Sequence, residues 1–269
     1  MEMVELNRGS SPVILGLPHT GTFVPDDIRA RLNDTGRRLT DTDWHVHELY
    51  RGILPEATTV RATFHRYCLD ANRDPSGVSL YPGQNTTGLI PLTDFDNNPL
   101  WNEGWEPDGT ETVERVLRFH APYHRVLQAE IERVRAEHGI AILYDCHSIR
   151  SVCPFLFEGK LPDFNIGTDN GKTCDPLIEQ EVSAICAAAE GYNSVVNGRF
   201  RGGWTTRHYG RPENGVHAIQ MELTQATHLK SETPPFDYDV EKAAGLRKVL
   251  RQILLRIEAL AYEFARKGG

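Results

Sequence analysis

The chain has 269 residues, with 29 Lys and Arg against 37 Asp and Glu, a formal net charge of −8. That acidic balance disfavours nucleic acid and anionic membrane as partners, and no apolar stretch approaches the length of a membrane span. Five cysteines (Cys68, Cys146, Cys153, Cys174 and Cys186) without a CxxC pair read as reduced thiols of a cytoplasmic protein, and the acidic stretch from Met1 to Glu5 lacks a signal-peptide core. The length suits one large domain or two small ones. With no linker, repeat or low-complexity tract to divide it, the chain reads as a single domain over residues 1–269.

The first element is a short apolar run, Pro12 to Leu17, followed by Pro18-His19-Thr20-Gly21. Pro18 cannot donate to a strand ladder, and Gly21 permits a sharp turn. His19 thus stands at a strand end, where it reads as a solvated turn residue or as a ligand. Thr40 or Asp41 caps a helix predicted from about residue 42 to 53. Asp43 falls in its first turn, where a carboxylate favours the helix dipole. His45 and His47 point in well-separated directions on such a helix and make poor joint ligands. Thr58 to Phe64 alternates as a strand. Asp70-Ala71-Asn72-Arg73 follows, and Arg73 either holds a carboxylate bidentately or neutralises a nearby Asp. Leu69 to Pro107 is rich in Asn, Asp, Gly and Pro, yet Tyr81, Phe95, Trp101 and Trp105 argue that it is packed and ordered.

Val113, Val116, Leu117, Leu127, Ile131 and Val134 follow helical spacing between Glu111 and Glu137, with Pro122 expected to kink or split the helix. His120 and His124 share a face there, but no HExxH pattern accompanies them, so they read as supports. Ile140 to Tyr144 has the character of a buried inner strand and runs into Asp145-Cys146-His147-Ser148. Open α/β sheets bind their ligands beyond the carboxyl ends of such strands, and histidine is the commonest metal ligand. Asp175-Pro176 starts a helix to about Glu190, and Val195-Val196 is a short strand. Gly202 to Gly210 reads as a tight loop in which Thr206 and Arg207 offer donors. Val216 to Leu223 is a further strand, and Glu222 near its end faces solvent or needs a buried partner such as an Arg or a metal-bound water. A closing amphipathic helix carries Val240, Leu246, Val249, Leu250, Ile253, Leu254, Ile257, Leu260 and Phe264 as a core stripe. Alternating strands and helices give the α/β class.

Two strand ends that each carry a histidine, His19 and His147, could supply two corners of a tetrahedral zinc site. Two arginine-bearing segments beside it, at Arg73 and Arg207, suit a small substrate with carboxylate groups. The glycines match neither a P-loop nor a dinucleotide fingerprint.

Six segments in order now become informative together: Leu17-Pro18-His19-Thr20-Gly21, Leu69-Asp70-Ala71-Asn72-Arg73, Tyr81-Pro82-Gly83-Gln84, Asp145-Cys146-His147-Ser148, Leu161 to Thr168, and Gly202-Gly203-Trp204-Thr205-Thr206-Arg207. With them the chain resembles the N-formylglutamate amidohydrolase family over about Ser11 to Leu260. The resemblance implies hydrolysis of N-formyl-L-glutamate to formate and L-glutamate, the last step of histidine breakdown. It also implies a fold similar to the zinc carboxypeptidases and aspartoacylases: a mixed, mostly parallel sheet flanked by helices, with zinc (or another divalent transition metal) at the strand ends. On that pattern His19 and His147 ligate the metal and Glu222 is catalytic. Arg73 with Asn72, and Arg207 with Thr206, would bind the substrate. The carboxypeptidase pattern wants a Glu three residues after the first His, where this chain has Thr22. Asp43 is therefore assigned as third ligand, with His45 as the alternative. Thr227-His228-Leu229 departs from an expected aromatic and implies an altered pocket wall. Two other readings remain open: deacylation of another acidic N-acyl amino acid such as N-acetylaspartate, and acidic-ligand binding without catalysis.

Overall fold

Short branched and aromatic runs bounded by Pro, Gly and Asn become strands here, and the longer periodic segments become helices. The computed structural model describes residues 2–268. In chain order the elements are β1 (Val4–Asn7), β2 (Val13–Leu17), α1 (Asp26–Arg29), α2 (Asp34–Arg37), α3 (Val46–Tyr50), β3 (Thr58–Ala62) and α4 (Gly109–Arg115). A π-helical turn (Val116–His120) leads into α5 (Ala121–His138), followed by β4 (Ala141–Ile149), β5 (Phe164–Gly167), α6 (Pro176–Ala188), β6 (Ser194–Val196), α7 (Trp204–Tyr209), β7 (Val216–Thr224) and α8 (Val240–Gly268).

The strands form one sheet in the order β1-β3-β2-β4-β7-β5-β6. β3, β2, β4 and β7 run parallel, β1 and β5 pair antiparallel with β3 and β7, and β6 runs parallel to β5. This is the mixed, mostly parallel α/β sheet that the sequence predicts. Both faces are covered. Val13, Leu15 and Leu17 of β2 pack with Ile142 and Tyr144 of β4 and Ile219 and Met221 of β7 on the side of α3, α6 and α8. The alternate positions Ile14, Leu143 and Ala218 pack against Tyr123, Leu127 and Ile131 of α5. Successive strand residues point to opposite faces. Asp145 and His147 therefore share the α5 face with Gln220 and Glu222, and the parallel register sets Asp145 beside Gln220 and His147 beside Glu222.

Three expectations change. The helix expected from about 42 to 53 shrinks to Val46–Tyr50, because His45 adopts a left-handed conformation and Asp41 accepts a hydrogen bond from Phe95 N instead of capping. The segment Gly202 to Gly210 is not a plain loop: Gly202 and Gly203 lead into α7. The long helix is interrupted as expected near Pro122, but the break falls one turn earlier than the proline itself. A π turn lies just before it, where the missing proline N–H removes one rung of the ladder. The extra residue in that turn rotates the preceding segment, so Val113 and Leu117 of the expected stripe are exposed. The stripe of α8 packs as expected from Leu246 to Leu260, although Val240 at its start is exposed. β1 and β5 have no counterpart in the sequence reading.

Candidate metal and substrate site

β2 and β4 are adjacent and parallel, and the chain leaves β2 on one side and enters β4 on the other, which opens a crevice at their carboxyl ends. His19 follows β2 by two residues, and His147 projects from the last turn of the pleat in β4. Asp43 joins them from the segment before α3, where its N–H donates to His19 O at 3.0 Å. One ligating atom from each of His19, Asp43 and His147 lies within 4.8 Å of the others, and all three residues are buried. Asp43 Oδ2 is 3.3 Å from His147 Nδ1 and 3.8 Å from His19 Nδ1.

The opposite nitrogens of both rings are held by carboxylates. His19 Nε2 is 2.6 Å from Asp70 Oδ1, and His147 Nε2 is 2.9 Å from Asp145 Oδ2. A carboxylate behind the imidazole fixes its tautomer and turns the free nitrogen toward a metal. Thr206 Oγ1 donates to Asp145 at 3.4 Å, so the predicted substrate residue Thr206 acts behind the histidine, not in the cavity. Asn72 Nδ2 lies 3.1 Å from His147 Nε2, and Asn72 Oδ1 accepts from Thr205 N. A Cβ on Gly203 would come within 2.3 Å of Asn72 Nδ2, so any side chain here would push Asn72 away from His147.

The electrostatics fit a cation. Burial and Arg66 lower the His19 pKa and keep that ring neutral. Burial opposes a proton on His147, yet Asp145, Asp43 and Glu222 around it raise its pKa well above the ordinary value. Positive charge between these groups is therefore favoured. Burial also opposes ionisation of Asp43 and Asp70, but Arg66 and His19 beside them hold both below the usual carboxylate range. Arg66 Nη2 is 2.7 Å from Asp43 Oδ1, which leaves Oδ2 facing the rings. His19 Nδ1 is buried and has no hydrogen-bond partner among the described residues. An orphaned imidazole nitrogen facing a carboxylate and a second imidazole is a donor set that could hold a divalent metal ion.

A small cavity of about 50 Å³ opens over this cluster. Glu222 lines it, fully buried, and accepts from Gln220 Nε2 at 3.1 Å. Burial pushes its pKa up to about 8, with His147 working against the shift and Asp43 with it. Arg73 lines the cavity too, donating from Nε to Thr87 O at 3.0 Å and from Nη2 to Thr86 Oγ1 at 3.2 Å.

Arg207 does not line it. Its Nε donates to Gly202 O at 2.8 Å, its Nη1 is 3.5 Å from Asp169, and the guanidinium lies over Tyr81, so it fastens the loop. His45 is also elsewhere: its Nε2 meets Phe236 O at 3.0 Å, and it lines a separate groove between α3 and α8. His228 is buried against Trp44 O and forms no part of the cavity wall. His120 and His124 support the backbone, with Nε2 atoms 3.1 Å from Arg73 O and 2.7 Å from Ala71 O.

Arg66 and Arg199 both line the cavity and escape the sequence reading. Neither lies in a spaced motif, and only the folded chain brings them to the site.

Comparison with known proteins points the same way. The model of the family "N-formylglutamate amidohydrolase" matches residues 11–229. The chain is 46% identical to the N-formylglutamate deformylase of Pseudomonas aeruginosa, over 94% of this chain and 95% of that one. It is 42% identical to the N-formylglutamate deformylase of Pseudomonas putida, over 97% and 98% respectively. The crystal structure of an N-formylglutamate amidohydrolase from Ralstonia eutropha superposes over the whole of both chains, with a TM-score of 0.80 at 26% identity. A gene product of Agrobacterium tumefaciens shares the fold, with a TM-score of 0.71 at 18% identity over 96% of this chain and 97% of its own.

Proposed function

The chain belongs to the N-formylglutamate amidohydrolase family, and from that premise we propose that it hydrolyses N-formyl-L-glutamate to formate and L-glutamate as a zinc-dependent enzyme. The single observation that carries the metal dependence is the His19–Asp43–His147 cluster, with its ligating atoms within 4.8 Å of one another. These three residues would hold the ion, and Asp70 and Asp145 would orient the two rings. When bound, a divalent zinc ion supplies Lewis acidity, lowering the pKa of water from 15.7 toward about 7 and polarising a carbonyl oxygen.

The remaining chemistry falls to the chain. Glu222 takes the proton from the attacking water as the new C–O bond forms at the formyl carbon. It then delivers that proton to the departing nitrogen as the C–N bond breaks. Its buried setting favours both halves of that cycle, since a carboxyl group with a raised pKa accepts and releases a proton near neutrality. Gln220 holds Glu222 in place by the 3.1 Å hydrogen bond. Arg66, which lines the cavity and is held in place by its pair with Asp43, offers its N–H groups as fixed donors near the developing oxyanion. Arg73, with Asn72 beside it, holds a substrate carboxylate and sets the reach of the formyl group. Arg207 and Thr206 contribute through the loop and through Asp145.

All five cysteines are free and buried, which supports a reducing, cytoplasmic setting, and a role in histidine degradation follows only if the proposed substrate holds. The test combines elemental analysis with a formate-release assay. The expected result is about one zinc per chain, loss of formate release after chelation, and recovery on adding zinc. Full activity in metal-free protein would overturn the metal assignment. A higher kcat/KM for N-acetyl-L-aspartate than for N-formyl-L-glutamate would overturn the substrate.

A further inference from the structure

Two guanidinium groups face the cavity with only neutral partners. Arg73 is held by Thr87 O and the hydroxyls of Thr86 and Thr87. Arg199 is half-buried and is held by Leu156 O at 2.9 Å and Asn85 O at 2.7 Å, with its guanidinium over the rings of Tyr81 and Phe200. The other cavity arginine, Arg66, is already neutralised by Asp43, and Arg207 outside the cavity faces Asp169. Among the described residues, neither Arg73 nor Arg199 has a carboxylate partner within ion-pair distance. A cation withdrawn from water without a counter-ion is costly, so such a site favours an anion. Asp70 offsets part of the charge of Arg73 from a distance, but neither guanidinium has a carboxylate in contact, and two such groups on one small cavity match a ligand with two carboxylates.

Their anchorage distinguishes them. Asn72, next to Arg73, touches His147 at 3.1 Å, so Arg73 stands where the recognition end adjoins the metal cluster. Arg199 hangs from Leu156 O and Asn85 O; neither residue touches the metal cluster, and Asn85 adjoins Thr86 and Thr87, the partners of Arg73. In an N-acylglutamate the side-chain carboxylate lies farther from the amide nitrogen than the α-carboxylate does. We infer that Arg199 is the specificity-determining residue that binds the side-chain carboxylate, while Arg73 takes the α-carboxylate. This rests on the substrate reading above. The alternative is that Arg199 only straps the two loops together.

The test compares N-formyl-L-glutamate with N-formyl-L-glutamine, which has nearly the same shape but a neutral side-chain end. In wild-type protein the acid is expected to be strongly preferred. In Arg199→Gln, kcat/KM for the acid falls by about 10- to 100-fold, the usual worth of a charge-assisted pair, while the value for the amide stays within about threefold. Arg199→Lys, which keeps the charge and loses the planar fork, gives an intermediate loss for the acid alone. An equal fall on both substrates would reduce Arg199 to a strap, and no change on either would remove it from the site. Calorimetric binding of the same two compounds separates this inference from the substrate reading, because it does not require turnover. A Kd preference for the acid that disappears in Arg199→Gln sustains the role of Arg199 even if formate release fails. Equal binding of both compounds by wild-type protein overturns it.

Discussion

The two ends of the cavity are built by different means. At the metal end, His19, His147 and Glu222 hang from strand ends whose spacing is set by the parallel register of β2, β4 and β7, and Asp43 reaches them from the segment before α3. Each ring there is fixed from behind by a buried carboxylate. At the recognition end, Arg73 and Arg199 are held by backbone carbonyls and hydroxyls of loops. The sheet end is preorganised by pleat and ladder, while the loop end is free to change specificity without disturbing the chemistry. The contrast teaches that the reaction and its selectivity can vary independently in this fold.

Four substitutions sharpen or break that contrast. The largest effect is expected for Glu222→Gln, which should lower kcat by about 100- to 10,000-fold while leaving bound zinc at the wild-type level. Loss of metal together with activity would show Glu222 to be part of the ligand set. Next is Asp145→Asn, where removal of the carboxylate behind His147 should weaken zinc binding by about 10- to 100-fold in a chelator competition. Unchanged affinity would mean that β4 alone positions the ring.

At the loop end, Arg73→Lys should raise KM or lower kcat/KM by about tenfold, with zinc content unchanged. A metal defect there would erase the division between the two ends. The smallest effect on catalysis is expected at His228, outside both ends. Burial lowers its pKa from 6.5 to about 4, so the folded protein keeps it neutral where the unfolded chain would protonate it. Its contribution to stability is present above pH 6.5 and is lost as the pH falls toward 4. His228→Gln should therefore flatten the fall of Tm with acid across that window. An unchanged slope would place the acid sensitivity in other groups.

The same division governs how much the sequence reveals. His19, His147 and Glu222 stand out because apolar runs end in polar residues, and a strand end in an α/β sheet is where ligands collect. The structure gathers all three at one crevice. Asp43 depends on the resemblance, since its expected helix start dissolves into a buried loop in which Asp41, the Thr42 carbonyl and Asp43 all find tertiary partners. Arg207 attracts attention for its glycine-rich setting, yet α7 turns it toward Asp169 and Tyr81. Arg66 and Arg199 carry no local signal, because their significance lies in which loops happen to meet. Periodicity reports a face and motif spacing reports a neighbour, but neither reports the convergence of segments far apart in the chain.

The π turn before Pro122 has one further effect. It rolls the helix so that His120 and His124 grip the carbonyls of Arg73 and Ala71. The backbone of Arg73 thus takes its bearing from a helix laid across the sheet, while its guanidinium is held by Thr86 and Thr87 of the irregular segment. Insertions between residues 76 and 86 should leave that bearing intact. Deleting a single residue from the turn would swing both imidazoles out of reach and set the arginine adrift.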